Sequence, residues 1–225
     1  MKDDWKKQEL LDKKTGNVER VYTYKQVRCK RVVHSSTLAL QLAGYTLIEK
    51  DLRSVSTWLS EIAKRHVDGP THESDHHNRS TNRENYDIIK GLFVAALTFY
   101  GKCFSQCEGR RTKLNRSQIG DSFREMHDVC ISYRNNFAAH SGAALFETAQ
   151  IAIVFPRKYK NNVPPRIYRE LNQPDLIWAD DTDDASFVNL VEHVRTLALE
   201  KIDKLTTKII EEEVLPKGFE YWSRR

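Results

Sequence analysis

Near the middle of the chain, the run Tyr133-Arg134-Asn135-Asn136-Phe137-Ala138-Ala139-His140 gathers an arginine, two amides and a histidine within about two helical turns. A histidine moves protons near neutral pH. An arginine clamps a phosphoryl oxygen and stabilises charge in a pentacoordinate transition state. Asn136 stands four residues before His140, on the same helix face, where an amide can orient the imidazole. Such a set suffices for metal-free cleavage of RNA, with the 2′-hydroxyl as internal nucleophile. On a straight helix Arg134 and His140 are about 9 Å apart along the axis and about 120° apart around it. They do not hydrogen-bond within that helix. They converge on one phosphate if the arginine's length bridges the gap, or if two copies of the helix meet across a two-fold axis. On spacing alone the commoner alternative is a surface cation and a satisfied interior histidine.

Other chemistries lack their residues. There is no GxxxxGK[ST], GxGxxG or HExxH run and no serine in a nucleophile elbow. The first two helical stretches carry no carboxylate–histidine pattern of the di-iron kind. The polar stretch 67–82 holds His72, His76 and His77, but no helix fixes their spacing, so it reads as a solvated connection or a flap beside the site rather than a metal cage. Cys29, Cys103, Cys107 and Cys130 include no CxxC and read as structural thiols. No metal and no cofactor are expected. The net charge of +5 fits nucleic-acid contact without demanding it. The basic connection Arg110, Arg111, Lys113, Arg116 reads either as a solvated loop or as a phosphate-contacting edge.

The elements that position these residues are mostly helices. Ser35 to Thr37 offer an N-cap, and apolar residues from Tyr45 through Ile48, Leu52, Val55, Leu59 and Ile62 alternate steps of three and four. A second stripe runs from Tyr86 through Ile89, Phe93, Ala96 and Tyr100 to Cys103 and Cys107, widened by Leu97 and Phe99, and Glu108-Gly109 ends it. The third helix spans 121–141 on Phe123, Met126, Cys130, Tyr133 and Phe137, so its apolar stripe ends at His140. The fourth, over 185–214, buries Phe187, Val191, Val194, Ala198, Ile202, Leu205 and Ile209, with the acidic run Asp180 to Asp184 capping it.

Between the third and fourth helices the period changes to two. Ala149, Ile151, Ile153 and Phe155 suggest a strand buried on both faces, with shorter strands at 167–171 and 176–179. Residues 1–34 read as an exposed hairpin, with a partly disordered basic arm as the competing reading. The expected fold is mainly α: an antiparallel bundle of four long helices over 35–214, a small β insertion at 145–180, an N-terminal arm or hairpin over 1–34, and a C-terminal tail at 215–225 that docks by its aromatics. No apolar run approaches the roughly 20 residues of a membrane span, and the N-terminus lacks a signal-peptide apolar region, so a cytoplasmic protein is expected.

The segment Arg134-Asn135-Asn136-Phe137-Ala138-Ala139-His140 resembles the signature of the HEPN superfamily, an arginine, a polar residue and, after a short spacer, a histidine. The family pattern allows four to six residues between the two, and here there are five. The resemblance covers the helical regions, about 35–142 and 185–214, and does not extend to the N-terminal arm or the β insertion. It implies a metal-independent endoribonuclease that works as a homodimer with the motifs facing across the interface, of the kind found among toxins, RNA-processing enzymes and anti-phage or stress effectors. His140 would then be the acid/base and Arg134 the phosphate clamp. Asn135 or Asn136 would position the histidine or the RNA, and Tyr133 would stack on a base. The run Arg110 to Arg116 would contact the RNA backbone. A regulatory protein partner is compatible with this reading. However, the tyrosine that some members carry two residues after the histidine, where a partner enzyme modifies it, is Gly142 here. The alternative is a non-catalytic HEPN-like module that binds RNA or a protein.

Overall fold

A computed structural model describes residues 4–67, 83–138, 148–156, 164–172 and 184–225. The chain is mainly helical, with two small antiparallel sheets, and divides into two compact units: residues 43–202, and residues 1–42 together with 203–225. Short pieces of two long helices thus group with the terminal segments. Among the described residues no helix is long and apolar enough to cross a membrane.

The long helices are α1 (Thr37–Val67), α2 (Arg83–Phe104), α3 (Arg124–Tyr133) and α4 (Phe187–Ile209). The apolar stripes become one core within 43–202. It takes Ile48, Leu52, Val55, Leu59 and Ile62 from α1, Phe93, Ala96, Leu97, Tyr100 and Cys103 from α2, and Cys130 from α3. From α4 come Phe187, Leu190, Val191, Val194 and Ala198. Each large side chain so enclosed contributes roughly 1.5–3 kcal/mol. Leu114 and Ile119, from the connection between α2 and α3, are buried in the same cluster.

The helix starts have identifiable caps. Ser36 Oγ accepts the Ala39 amide at 3.1 Å, as the N-cap reading expects. At α4 the cap is Ser186, whose Oγ accepts the Asn189 amide at 3.3 Å; the acidic residues up to Asp183 lie outside the described residues. Helix α2 ends at Phe104 rather than Cys107, where Ser105 Oγ donates back to the Gly101 carbonyl at 2.9 Å. Cys107 then pairs with Arg110 in a tight bridge, so it does not share a helix face with Cys103. The third helical stretch also departs from a uniform α-helix. It enters through 3₁₀ turns at Arg116–Gln118 and Asp121–Phe123, and it leaves as a π-helical turn at Arg134–Ala138.

The strands β4 (Thr148–Val154) and β5 (Arg166–Asn172) form an antiparallel pair with Ile153 opposite Ile167. Ile151, Ile153 and Ile167 are all more than half exposed, so this strand is not buried on both faces as its composition suggested. The further strand expected at 176–179 lies outside the described residues.

In the other unit, β1 (Trp5–Leu11), β2 (Val18–Tyr24) and β3 (Val27–Cys29) make a three-stranded antiparallel meander, one strand more than a hairpin. Asp12 organises the first turn. Its carboxylate accepts the Lys14 amide at 2.9 Å and the Thr15 hydroxyl at 2.7 Å, and Gly16 takes the left-handed φ of +70°. Near the C-terminus, Glu213 accepts from Ser36 Oγ and pairs with His34 Nε2, both at 2.6 Å. The terminal helix α5 (Gly218–Ser223) docks through Trp222, which donates its Nε1–H to the Val214 carbonyl at 3.0 Å and meets His34 edge-on.

Candidate functional site: a cationic cleft beside α3

The π turn begins at Arg134, whose amide reaches the carbonyls of both Cys130 and Ile131. Single π turns inside helices concentrate at functional positions. This winding also replaces the straight α-helix on which a 120° separation of Arg134 and His140 was projected. His140 itself lies outside the described residues.

Arg134 and Asn135 line a cleft of about 380 Å³ between α2, the connection after it, and α3. Gly101 of α2 makes room for the arginine. A Cβ at that position would lie 3.0 Å from Arg134 Cγ and 3.2 Å from its Cδ, so the arginine's stem lies against bare backbone. The guanidinium Nη1 donates to Asn135 Oδ1 at 2.9 Å, which holds its head beside the neighbouring amide. Asn136 turns elsewhere: its Nδ2 donates to Ser132 Oγ at 3.2 Å, and it does not line the cleft. Tyr133 packs partly buried against the core.

The basic connection splits. Lys113 is exposed and lines the cleft; Arg111 is exposed and does not. Arg116 lines it too, but is held bidentately by Asp128, Nε to Oδ1 at 2.7 Å and Nη2 to Oδ2 at 2.6 Å. Arg110 is only 5% exposed and turns inward. Its Nη1 faces Asp51 Oδ2 at 3.5 Å, and its Nη2 donates to the Lys102 carbonyl. Asp51, 1% exposed, also meets Lys50 at 3.0 Å and Lys102 at 3.2 Å. Arg110 is therefore a buried counter-ion, not a member of an RNA-contacting edge.

One cleft residue was missed in the sequence. His127 lines the cleft at 4% exposure, and its Nδ1 is hydrogen-bonded to Tyr100 Oη at 2.8 Å. Burial pushes the Tyr100 phenol far up, so it stays protonated, and burial lowers the imidazole's pKa, so His127 stays neutral. The signal was available: His127 is seven residues before Arg134, two turns along one helix face. The apolar stripe through Met126 and Cys130 masks it, because a histidine next to such a stripe has no period of its own.

Chemically, the cleft offers two cations, one carboxylate-paired arginine, the amides of Asn115 and Asn135 and a neutral imidazole, which suits a phosphodiester better than a neutral ligand. The thiols nearby are not nucleophiles, since burial pushes Cys103 up to about 12 and raises Cys130 as well. No disulfide joins any of the four cysteines. Among the described residues no group of histidines, cysteines and carboxylates could hold a metal ion; His72, His76 and His77 lie outside them. Neither protein-family models, nor curated proteins, nor solved structures give a match to this chain.

Proposed function

We propose that this chain is a HEPN-type, metal-independent endoribonuclease acting as a cytoplasmic homodimer in a toxin, defence or stress system. Its helices would form an antiparallel four-helix bundle. The observation that carries the reading is the seating of Arg134 and Asn135, the first two residues of the motif, in a cationic cleft walled by His127. Arg134 holds a non-bridging oxygen of the scissile phosphate. The 2′-hydroxyl attacks phosphorus and the 5′-oxygen leaves, giving a 2′,3′-cyclic phosphate and a 5′-hydroxyl end. His140 handles the protons of that exchange. Lys113 supports the RNA backbone at the cleft rim.

The test is cleavage of a labelled RNA in EDTA by the wild-type chain, by His140→Ala and by Arg134→Ala. Wild-type cleavage should persist without metal, and each variant should lose it by 100-fold or more, on the order expected for removal of an acid/base or of a charge-stabilising group. Circular dichroism should show both variants folded. Undiminished cleavage by His140→Ala sinks the assignment, and RNA binding with no cleavage product by any form supports the non-catalytic reading instead.

A further inference from the structure

The chain's excess of positive charge is confined to one place. Residues 1–34 hold ten lysines and arginines against five aspartates and glutamates, an excess equal to the net +5 of the whole chain. The strand register sorts their side chains. Trp5, Lys7 and Glu9 of β1 share a face with Tyr24, Tyr22 and Arg20 directly opposite on β2. On that face the rings of Trp5 and Tyr24 lie 4.9 Å apart and tilted, forming an apolar shelf, and they are 58% and 40% exposed. Lys7 and Arg20 flank the shelf, sharing the single carboxylate of Glu9 at 2.9 and 3.0 Å. A hollow of about 480 Å³ in the same sheet is lined by Arg28, Lys30 and Arg31 with Glu19.

We propose that this sheet is a binding platform for single-stranded RNA, with bases stacking on Trp5 and Tyr24 and the backbone running past Lys7 and Arg20. Aromatic rings beside a positive track are what a strand without fixed sequence requires, because every base has a π-face and every linkage a charge. The charge excess argues against a neutral apolar partner on the same shelf. The choice of RNA as the strand rests on the ribonuclease reading; the platform rests on the sheet alone.

The test uses the full chain carrying His140→Ala, so that binding is read without cleavage, and a fluorescein-labelled oligouridylate of about 20 nucleotides followed by anisotropy. Trp5→Ala with Tyr24→Ala should weaken binding by about 10-fold or more, whereas Trp5→Phe with Tyr24→Phe should retain most of it. Lys7→Gln with Arg20→Gln should lower the slope of log K against log salt by about 1.4. Affinity unchanged by the alanine pair overturns the proposal. So does equal affinity for duplex RNA, or capture by phosphatidylserine vesicles in the absence of RNA binding. Sheet-dependent binding in the His140→Ala chain, with no cleavage by the chain that retains His140, upholds the platform and sinks the nuclease. Cleavage by a chain whose binding ignores these substitutions does the reverse.

Discussion

Arg110 shows how little a side chain's type says about its task. Its guanidinium sits against a carboxylate that is 1% exposed, where a lone charge is costly. Replacing it with alanine leaves Asp51 to Lys50 and Lys102 alone and should cost about 3–5 kcal/mol in urea unfolding. The double replacement Arg110→Met with Asp51→Leu should cost much less than the single one, because no buried charge is left behind. A loss below about 1 kcal/mol for Arg110→Ala would put this contact in the class of exposed pairs. Nothing in Arg110-Arg111-Thr112-Lys113 marks which cation turns inward, since the deciding partner comes from a distant turn of α1. The sequence pattern therefore named four equivalent cations where the fold has one counter-ion, one paired rim arginine and two exposed charges.

At the scale of elements, periodicity carried the long helices well, because each stripe from Ile48 to Ile62 or from Phe93 to Cys103 answers to a single core. It failed at their ends. The stop of α2 at Phe104 goes with the Ser105 back-bond, and the π winding from Arg134 goes with a close approach of its side chain to Gly101, neither of which a period records. It failed as well in β1, whose Lys-Lys-Gln-Glu centre shows no alternation of apolar and polar residues. The turn between β2 and β3 offers a direct test of local chemistry. Lys25 and Gln26 both adopt left-handed backbone, at φ +47° and +69°, which costs side-chain-bearing residues energy. Lys25→Asn with Gln26→Gly should stabilise the sheet by about 1 kcal/mol, read as slower amide exchange across β2 and β3. Faster exchange would mean that the lysine and glutamine contribute more through contacts than they lose in backbone strain.

For the molecule as a whole, the carboxylates and the histidine with resolved shifts all lose stability as pH falls. Glu9 is lowered first by Lys7 and then by Arg20, Asp12 by the Thr15 hydroxyl, Asp128 by Arg116, and Glu213 by the Ser36 hydroxyl ahead of His34. Their contributions to stability are complete above the ordinary carboxylate values and vanish as pH falls through the lowered ones. His127 acts earlier. Its folded pKa lies below the ordinary 6.5, so the unfolded chain takes up a proton first and stability starts to fall as pH drops through 6.5. The slope from this one group cannot exceed about 1.4 kcal/mol per pH unit. His127→Gln should flatten the Tm profile just below pH 6.5 and leave the steeper loss at lower pH in place. An unaltered profile would show that the imidazole is as easily protonated folded as unfolded.

The π turn at Arg134–Ala138 has a further consequence for how such a motif tolerates change. A π turn is an α-helix that has absorbed an insertion, since each ring closes one residue later, i to i+5 in place of i to i+4. Adding or deleting one residue between the arginine and the histidine then need not swing the later side chain to another face, because the winding takes up the difference. Winding as much as counting thus sets which face a side chain beyond Arg134 occupies.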